Sequence, residues 1–300
     1  AIFVEKGEEA VVAMLAAAAG CVFVTINPLL KAAQVAHILA DCKARLLVTN
    51  RARLDSLAQV LDGCTDLRHI VVAGADAPHI AGFDVMAWGQ CLAQGSAAAL
   101  HRVIETDMAA LMYTSGSSGA PKGVVLSHRN VVAGAYSVVR YLGNTASDRI
   151  LAVLPLSFDY GMSQLTTAFA SGASVVLMTH VLTRDILDMI DRERITGLAA
   201  VPTLWIQLAN LDWRNRHPLR YITSSGGCMP RPTIDTLRHS LPRTSIYLMY
   251  GLTEAFRSTY LAPEQVEHRP DSIGKAIPNA EVLVLDPEGR PCGPGEPGEL

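Results

Sequence analysis

The fold of this chain is decided by residues 113–128, which read Y-T-S-G-S-S-G-A-P-K-G-V-V-L-S-H. The first half is built from small hydroxyl residues and glycines, which let the backbone bend and present N–H groups beside hydroxyls. These residues are Thr114, Ser115, Gly116, Ser117, Ser118, Gly119 and Gly123. Lys122 adds a mobile positive charge, and Ser127 stands where the N-cap of the next helix is expected. The stretch therefore predicts a loop that binds a polyphosphate.

Two other interpretations of this loop are weaker. A Walker A loop places Lys directly after its last Gly and a hydroxyl directly after the Lys. Here Lys122 follows Pro121 and precedes Gly123, so the pattern excludes a P-loop nucleotidase. A flexible Gly/Ser linker is the other interpretation of such a composition, but apolar runs flank this loop on both sides.

Composition limits the class of protein. With 300 residues, half of them hydrophobic, the chain is globular and forms one large or two ordinary domains. Its 25 basic and 28 acidic residues give a net charge of −3 without a basic cluster. We therefore expect small-molecule partners and no nucleic-acid surface.

Cysteine usage and one apolar run bear on localisation. The six cysteines and nine histidines are scattered, so we expect reduced, mostly buried thiols of a cytoplasmic protein and no structural zinc. The apolar run at residues 10–26 follows acidic residues and is short and Ala-rich, which predicts a buried helix and strand and no membrane span. The missing initiator Met and the abrupt last residues indicate a fragment at both ends.

Strands and helices alternate along most of the chain, which predicts an α/β fold with mainly parallel sheets covered by helices. We expect two similar subdomains, residues 1–100 and 101–265, the second binding nucleotide. Residues 266–300 are predicted to start a small β-barrel subdomain, because turns, Pro and Gly become frequent there. Residues 81–98 lack a clean period and are expected to be a connection.

Polar or glycine-rich loops follow five predicted strands, at residues 114–123, 155–161, 202–203, 224–228 and 250–254. In open α/β sheets ligands bind at that edge. The last loop offers the Tyr250 ring for a base, Gly251 for close approach, the Thr253 hydroxyl and the Glu254 carboxylate, a suitable Mg²⁺ ligand. Alone, it would also fit a simple turn with a surface Glu.

Taken together, these motifs resemble the large N-terminal domain of the adenylate-forming superfamily, which includes AMP-forming acyl-CoA synthetases, peptide-synthetase adenylation domains and beetle luciferases. The resemblance covers nearly the whole chain. Residues 114–123 match the signature loop without a gap, residues 250–254 match the second nucleotide motif, and residues 225–227 resemble the segment lining the adenine and acyl pockets. The run L-S-F-D-Y-G at residues 156–161 most resembles bacterial acyl-CoA ligases of the exosortase system.

The resemblance implies an AMP-forming acid–thiol ligase that uses Mg²⁺ and ATP to activate a carboxylic acid and transfers the acyl group to CoA. Catalytic roles are implied for Lys122, Thr253 and Glu254, with Glu254 as the metal ligand. Nucleotide contacts are implied for residues 114–119 and Lys122, and for Gly226, Gly227, Tyr250, Gly251 and Thr253. The family's mobile C-terminal domain, which carries the adenylation Lys, is absent, so we expect these residues alone to have little or no ligase activity.

Phe158, Asp159 and Gly226 are the implied acid-binding residues. Phe158 stands where relatives often have His, so we expect a pocket wall or simple core there. Asp159 matches the ammonium anchor of amino-acid-activating relatives, or is a solvated loop residue or a helix cap. Two alternatives stay open: amino-acid adenylation with transfer to a phosphopantetheinyl carrier-protein thiol, and a non-catalytic nucleotide-binding module. His128 is expected to brace the phosphate loop, and Cys228 to be packed.

Overall fold

The computed structural model describes residues 1–74, 76–95, 101–115, 121–214, 216–217 and 219–300. They divide into two compact units. The first comprises Ala1–Val132, Leu154–Met162 and Leu177–Thr179, and the second Ala133–Val153, Ser163–Val176 and His180–Leu300. The subdomain boundaries expected near residues 100 and 265 stay predictions.

The helices lie between strands, as the alternation predicts. In chain order they are α1 (Glu8–Ala18), α2 (Ala32–Asp41), α3 (Arg51–Leu57), α4 (Trp88–Ala93), α5 (His128–Leu142), α6 (Asp159–Ser171), α7 (Thr183–Glu193), α8 (Pro202–Ala209) and α9 (Arg231–Ser240). Within the described ranges, none of these helices combines the length and the apolar character needed to cross a membrane.

The first unit contains two sheets. Its four-stranded sheet is parallel, with strand order β1, β3, β4, β5, and its three-stranded sheet has the order β2, β6, β7. The strands are β1 (Ile2–Phe3), β2 (Phe23–Val24), β3 (Leu46–Asn50), β4 (His69–Ala73), β5 (Asp84–Ala87), β6 (Met108–Ser115) and β7 (Pro121–Ser127). β2 is parallel to β6, whereas β7 is antiparallel to β6.

Helices α2 and α3 pack on the four-stranded sheet through one apolar face each. Val35, Ile38 and Leu39 recur at helical spacing on α2 and are buried in the same cluster as Leu47 and Ile70 of the sheet. This is the amphipathic pattern of a helix that covers a sheet.

The second unit contains a seven-stranded sheet with strand order β14, β13, β12, β11, β10, β8, β9. The strands are β8 (Arg149–Ala152), β9 (Ser174–Leu177), β10 (Gly197–Ala200), β11 (Tyr221–Ser224), β12 (Ser245–Tyr250), β13 (Thr259–Leu261) and β14 (Lys275–Ala276). β8, β10, β11 and β12 pair in parallel, and β13 and β14 add antiparallel pairs. Every residue of β10 and β11 is buried, as expected of central strands covered on both faces.

The structure corrects one expectation. The segment at residues 81–98 contains β5 and α4, so it is a strand and helix of the first unit and not merely a connection. At the C-terminal end, residues 281–300 form isolated bridges from Leu285 to Pro291 and Glu299. Residues 286–289 form a turn, in which the Gly289 N–H donates to Asp286 O at 2.9 Å. The described residues of this end form no closed barrel, and the start of a small β-barrel subdomain there stays a prediction.

Candidate active site

The phosphate loop predicted from the sequence joins β6 to β7. The two strands pair up to their ends, with Thr114 opposite Lys122 and Ser115 opposite Pro121. Thr114 is half-buried and Lys122 is exposed, so the cation is accessible to a ligand. Gly116, Ser117, Ser118 and Gly119 lie outside the described residues. The antiparallel pairing of β6 with β7 was not expected from the sequence.

Tyr113 anchors this strand pair to α2. Its hydroxyl donates a hydrogen bond to the carboxylate of Asp41, and burial, followed by this hydrogen bond, raises the pKa of Tyr113. Gly123 lies opposite Tyr113, and a Cβ there would stand 3.1 Å from the tyrosine ring. Glycine therefore lets the ring lie across the partner strand, as aromatic side chains do over cross-strand glycines.

The helix after the loop starts as predicted. The Ser127 hydroxyl accepts a hydrogen bond from the Asn130 N–H at 3.2 Å, and the Asn130 side chain accepts from the Ser127 N–H at 3.0 Å, which confirms Ser127 as the N-cap. The His128 N–H donates to Asp107 O at 3.0 Å. Its Nε2 is buried and has no hydrogen-bond partner in the described part of the chain, so the bracing role stays a prediction.

A second group of candidate residues follows β8, at residues 154–161 of the first unit. Three successive carbonyls of this segment each accept a hydrogen bond. Lys6 Nζ donates to Leu154 O at 3.1 Å, the Phe158 N–H to Pro155 O at 3.2 Å, and the Thr25 hydroxyl to Leu156 O at 3.1 Å. These three hydrogen bonds therefore hold the segment in one conformation.

Phe158 and Asp159 stand at the end of this segment. Phe158 is half-buried and meets Tyr160 edge to face, with ring centroids 6.3 Å apart. Asp159 is 4% exposed and lies in the first turn of α6, so it is not a solvated loop residue. A carboxylate at the start of a helix is stabilised by the helix dipole. The ammonium-anchor role of Asp159 stays a prediction.

Two motifs that are distant in sequence meet at the carboxyl ends of β11 and β12. A cavity of about 480 Å³ opens there in the second unit. Its lining residues are Ser224, Gly226, Gly227, Cys228, Met229, Leu248, Met249, Tyr250, Gly251, Leu252, Pro270, Asp271, Ser272 and Ile273. The structure thus brings four sequence-predicted binding residues, Gly226, Gly227, Tyr250 and Gly251, to one cavity.

Glycines shape this cavity. Gly226 has φ +85°, a left-handed conformation that glycine adopts at no steric cost. Gly251 packs against the chain that returns past it, because a Cβ there would lie 3.1 Å from the Cα of Arg257. The same close approach is fixed by the Ser258 N–H, which donates to Tyr250 O at 3.1 Å.

Thr253 and Glu254 lie on the turn that follows Gly251, where the Phe256 N–H donates to Thr253 O at 3.3 Å. Glu254 is exposed. The described residues contain no cluster of three or more His, Cys, Asp or Glu side chains that would hold a metal by itself. One accessible carboxylate fits Mg²⁺ that takes its other ligands from nucleotide phosphates and water.

The cysteines differ from expectation. All six are described and free, but Cys64 alone is buried, and Cys228 is exposed and lines the cavity. The expectation of a packed Cys228 and of mostly buried thiols is therefore wrong. Cys228 comes directly after the two glycines that turn the chain away from β11, which leaves its side chain uncovered.

Sequence reasoning missed Lys6 and Thr25. Lys6 and Thr25 bind carbonyls more than 100 residues away, with separations of 148 and 131 residues, so no local pattern could mark them. Ser224 was included in the loop predicted at residues 224–228 but was given no role of its own.

The comparisons with known proteins agree on one kind of enzyme. A model of the family described as AMP-binding enzyme matches residues 1–300. The chain is 29% identical to 4-coumarate–CoA ligase 3 of Arabidopsis thaliana, over 94% of this chain and 52% of that protein. It is 34% identical to L-proline–[L-prolyl-carrier protein] ligase of Streptomyces coelicolor, over 97% of this chain and 57% of that protein.

Among solved structures, the anthranilate CoA ligase AuaEII in complex with anthranoyl-AMP has a TM-score of 0.88 at 26% identity, over 98% of this chain and 57% of that chain. The mixed α/β architecture predicted from the sequence is confirmed by this similarity. The chain spans about half the length of these relatives.

Proposed function

Because the chain belongs to the AMP-binding enzyme family, we propose that the protein is an AMP-forming acid–thiol ligase. It activates a carboxylic acid with ATP and passes the acyl group to the thiol of CoA. The observation that carries this proposal is the cavity where Gly226 and Gly227 meet Tyr250 and Gly251. Two nucleotide motifs separated in sequence there converge on one space large enough for part of a nucleotide.

The reaction has two balanced steps. An oxygen of the acid attacks the α-phosphorus of ATP, the bond to the β-phosphate oxygen breaks, and pyrophosphate leaves. The sulfur of the thiol then attacks the acyl carbon and loses its proton to solvent, the bond from the acyl carbon to the phosphate oxygen breaks, and AMP leaves. ATP supplies a leaving group for a carboxylate that is otherwise a poor electrophile, so the protein's work is positioning and stabilisation of charge.

Different residues of this chain are assigned to the phosphates, the metal ion and the base. We assign the loop of residues 114–119 and Lys122 to the β- and γ-phosphates, and the exposed ammonium of Lys122 fits this role. Thr253 serves the α-phosphate region, and Glu254 holds Mg²⁺. Tyr250 presents its ring to the adenine base.

The acid is assigned to Phe158, Asp159 and Gly226. A general acyl or aryl acid with CoA as acceptor is the first choice, supported by similarity to 4-coumarate–CoA ligase 3. A second candidate acid is an amino acid whose ammonium binds the Asp159 carboxylate. Similarity to the prolyl-carrier-protein ligase supports a carrier-protein thiol as acceptor in that case.

Pyrophosphate exchange by the protein in its full length tests this function. The panel contains aryl acids, fatty acids and amino acids, on wild type, Lys122→Ala and the matched exposed-lysine control Lys31→Ala. We expect Lys122→Ala to lower the exchange rate by about 100-fold, because removal of one charge-stabilising hydrogen-bond donor typically lowers a rate by about that factor. Lys31→Ala should leave the exchange rate unchanged.

The same panel separates the alternatives. No exchange with any acid would reject the ligase in favour of a non-catalytic nucleotide-binding module. Asp159→Ala should abolish exchange with amino acids alone if Asp159 anchors an ammonium. An unchanged acid profile in Asp159→Ala would rule that anchor out.

A further inference from the structure

Phe256 is a buried residue in a backbone conformation that its bulky side chain disfavours. Its φ is +59°, and it is 2% exposed. The described part of the chain has three other non-glycine residues with a positive φ, Lys43, Arg194 and Asn279, and all three are exposed. A bulky residue keeps this left-handed conformation only where its surroundings enforce it. Such residues cluster at functional sites, which draws attention to the contacts of Phe256.

The ring of Phe256 fills a notch in α5 that a glycine leaves open. A Cβ at Gly134 would lie 2.2 Å from Cδ1 of this ring and 2.6 Å from Cε1. Gly134 is buried in the interior of α5, where glycine weakens a helix relative to alanine. The close contact with the ring gives this glycine a packing role that offsets its cost to the helix. Both residues belong to the second unit.

The turn between Gly251 and Phe256 carries Thr253 and Glu254, the residues assigned to the nucleotide and the metal. Residues 250–255 are all exposed or half-buried, so Phe256 is the first buried residue that follows them. The Phe256 N–H donates to Thr253 O at 3.3 Å, and a Cβ at Gly251 would lie 3.4 Å from Phe256 O. Phe256 therefore contacts the turn through its own backbone while its ring is held by α5.

The chain that leaves Phe256 is fixed as well. Arg257 Nη1 donates to Phe256 O at 2.7 Å, and the Arg257 guanidinium lies 5.6 Å from the centroid of the Phe256 ring. The Ser258 N–H donates to Tyr250 O at 3.1 Å, and Thr259 pairs with Tyr250 where β13 begins. The turn is therefore closed at its base, and the Phe256 ring ties it to α5.

We propose that Phe256 is a positioning residue, which holds Thr253 and Glu254 in place for ATP and Mg²⁺ by locking its ring against Gly134. The proposal rests on the proposed function and adds a residue that acts through its neighbours on the turn. Glu254 is the carboxylate assigned to Mg²⁺, so a displaced turn binds the metal more weakly. A misplacement of about 1 Å also slows the reaction, because the reacting groups lose their alignment.

Pyrophosphate exchange and calorimetric ATP binding by the protein in its full length test this role, each across a range of Mg²⁺ concentrations. We expect Phe256→Ala to lower the exchange rate by about 10- to 100-fold and to raise the half-saturating Mg²⁺ concentration in both measurements. Phe256→Leu keeps apolar bulk against Gly134 and should restore most of both. Phe3→Ala is the matched control, because Phe3 is also 2% exposed but lies in the first unit. It should lower stability and leave the half-saturating Mg²⁺ concentration unchanged.

Gly134→Ala tests the same contact from the side of α5, and it carries the test by itself if Phe256→Ala does not fold. Alone, its methyl group meets the ring, so we expect the same direction of change as in Phe256→Ala. Added to Phe256→Ala, it should cause no further loss, because the ring is gone. Effects that multiply in the double variant, or a folded Phe256→Ala or Gly134→Ala protein with the Mg²⁺ dependence of wild type, would overturn the proposal. Absence of exchange by wild type with every acid would reject the proposed function itself, and the inference with it.

Discussion

Lys6 carries a largely buried ammonium that binds a backbone carbonyl. Burial lowers the pKa of Lys6 from its ordinary value of 10.5 to about 8. The folded chain therefore releases this proton at a lower pH than the unfolded chain does. Between these two pH values the unfolded state holds more protons, so this group makes stability rise with pH. The neutral amine still donates to Leu154 O, because it keeps N–H groups.

Lys6→Met should remove this pH dependence. We expect wild type to gain about 2–3 kcal/mol of unfolding free energy relative to Lys6→Met between pH 8 and pH 10.5. Urea denaturation across that range measures it. Thr25→Val, which removes the hydrogen bond to Leu156 O without removing a titratable group, should lower stability equally at every pH. If the unfolding free energies of wild type and Lys6→Met changed equally with pH, the expected burial of the charge would be contradicted.

The segment ahead of α6 depends on a glycine that touches its backbone. A Cβ on Gly161 would lie 1.8 Å from Pro155 O and 2.7 Å from its carbonyl carbon. Both contacts are with backbone that the Phe158 N–H and the Lys6 and Thr25 side chains hold in place. The first turn of α6 therefore sits against residues 154–155 only if position 161 lacks a side chain.

Gly161→Ala should destabilise the protein by about 3 kcal/mol or more, since overpacking against fixed backbone has no flexible side chain to relieve it. Gly89→Ala is the control, because a Cβ at this α4 position meets nothing within 4 Å. That change should be neutral or stabilise by up to about 1 kcal/mol through helix propensity. Thermal unfolding compares the two variants. Equal unfolding midpoints would show that the backbone of residues 154–155 moves without cost to accept the added methyl group.

Sequence patterns predicted the elements whose signals are local. The apolar runs of β4 and β10 and the N-cap at Ser127 could be read directly, because burial and capping leave short-range patterns. β5 and α4 were missed because an Ala- and Gly-rich stretch has no hydrophobic period. The composition of the loop at residues 114–123 indicates that it binds an anion, but it does not indicate the relative direction of the strands on either side. The antiparallel pairing of β6 with β7 was missed for that reason.

The candidate site was predicted in part for the same reason. Gly226, Gly227, Tyr250 and Gly251 were found because strand ends and turn glycines mark them, and they do line one cavity. Ser224 lies in the loop predicted at residues 224–228, but the sequence does not show that its hydroxyl is buried without a hydrogen-bond partner among the described residues. The exposure of Cys228 likewise depends on the direction of the preceding turn, which cannot be inferred from amino-acid composition.

In the large sheet of the second unit, the cavity lies at the carboxyl ends of the strands and a buried carboxylate lies at their amino ends. Ser224 and Tyr250 end β11 and β12 at the cavity. At the amino ends lies Asp148, which is 3% exposed and accepts hydrogen bonds from Arg220 at 2.8 Å and from the Thr196 hydroxyl at 2.7 Å. Burial opposes ionisation of Asp148, but these hydrogen bonds and one from the Thr145 N–H outweigh it, so the pKa of Asp148 is lowered.

Asp148→Asn should therefore reduce stability without changing nucleotide affinity. We expect a loss of about 2 kcal/mol, less than for a fully buried pair because the Arg220 side chain is 40% exposed. A carboxylate with a lowered pKa stabilises above its unfolded pKa and loses that contribution as pH falls through its folded pKa. The difference between wild type and Asp148→Asn should thus be full at pH 7 and shrink below about pH 4. Denaturation at both pH values, with ATP binding at pH 7, checks it. Weaker ATP binding by folded Asp148→Asn would show that the two ends of the sheet do not act separately.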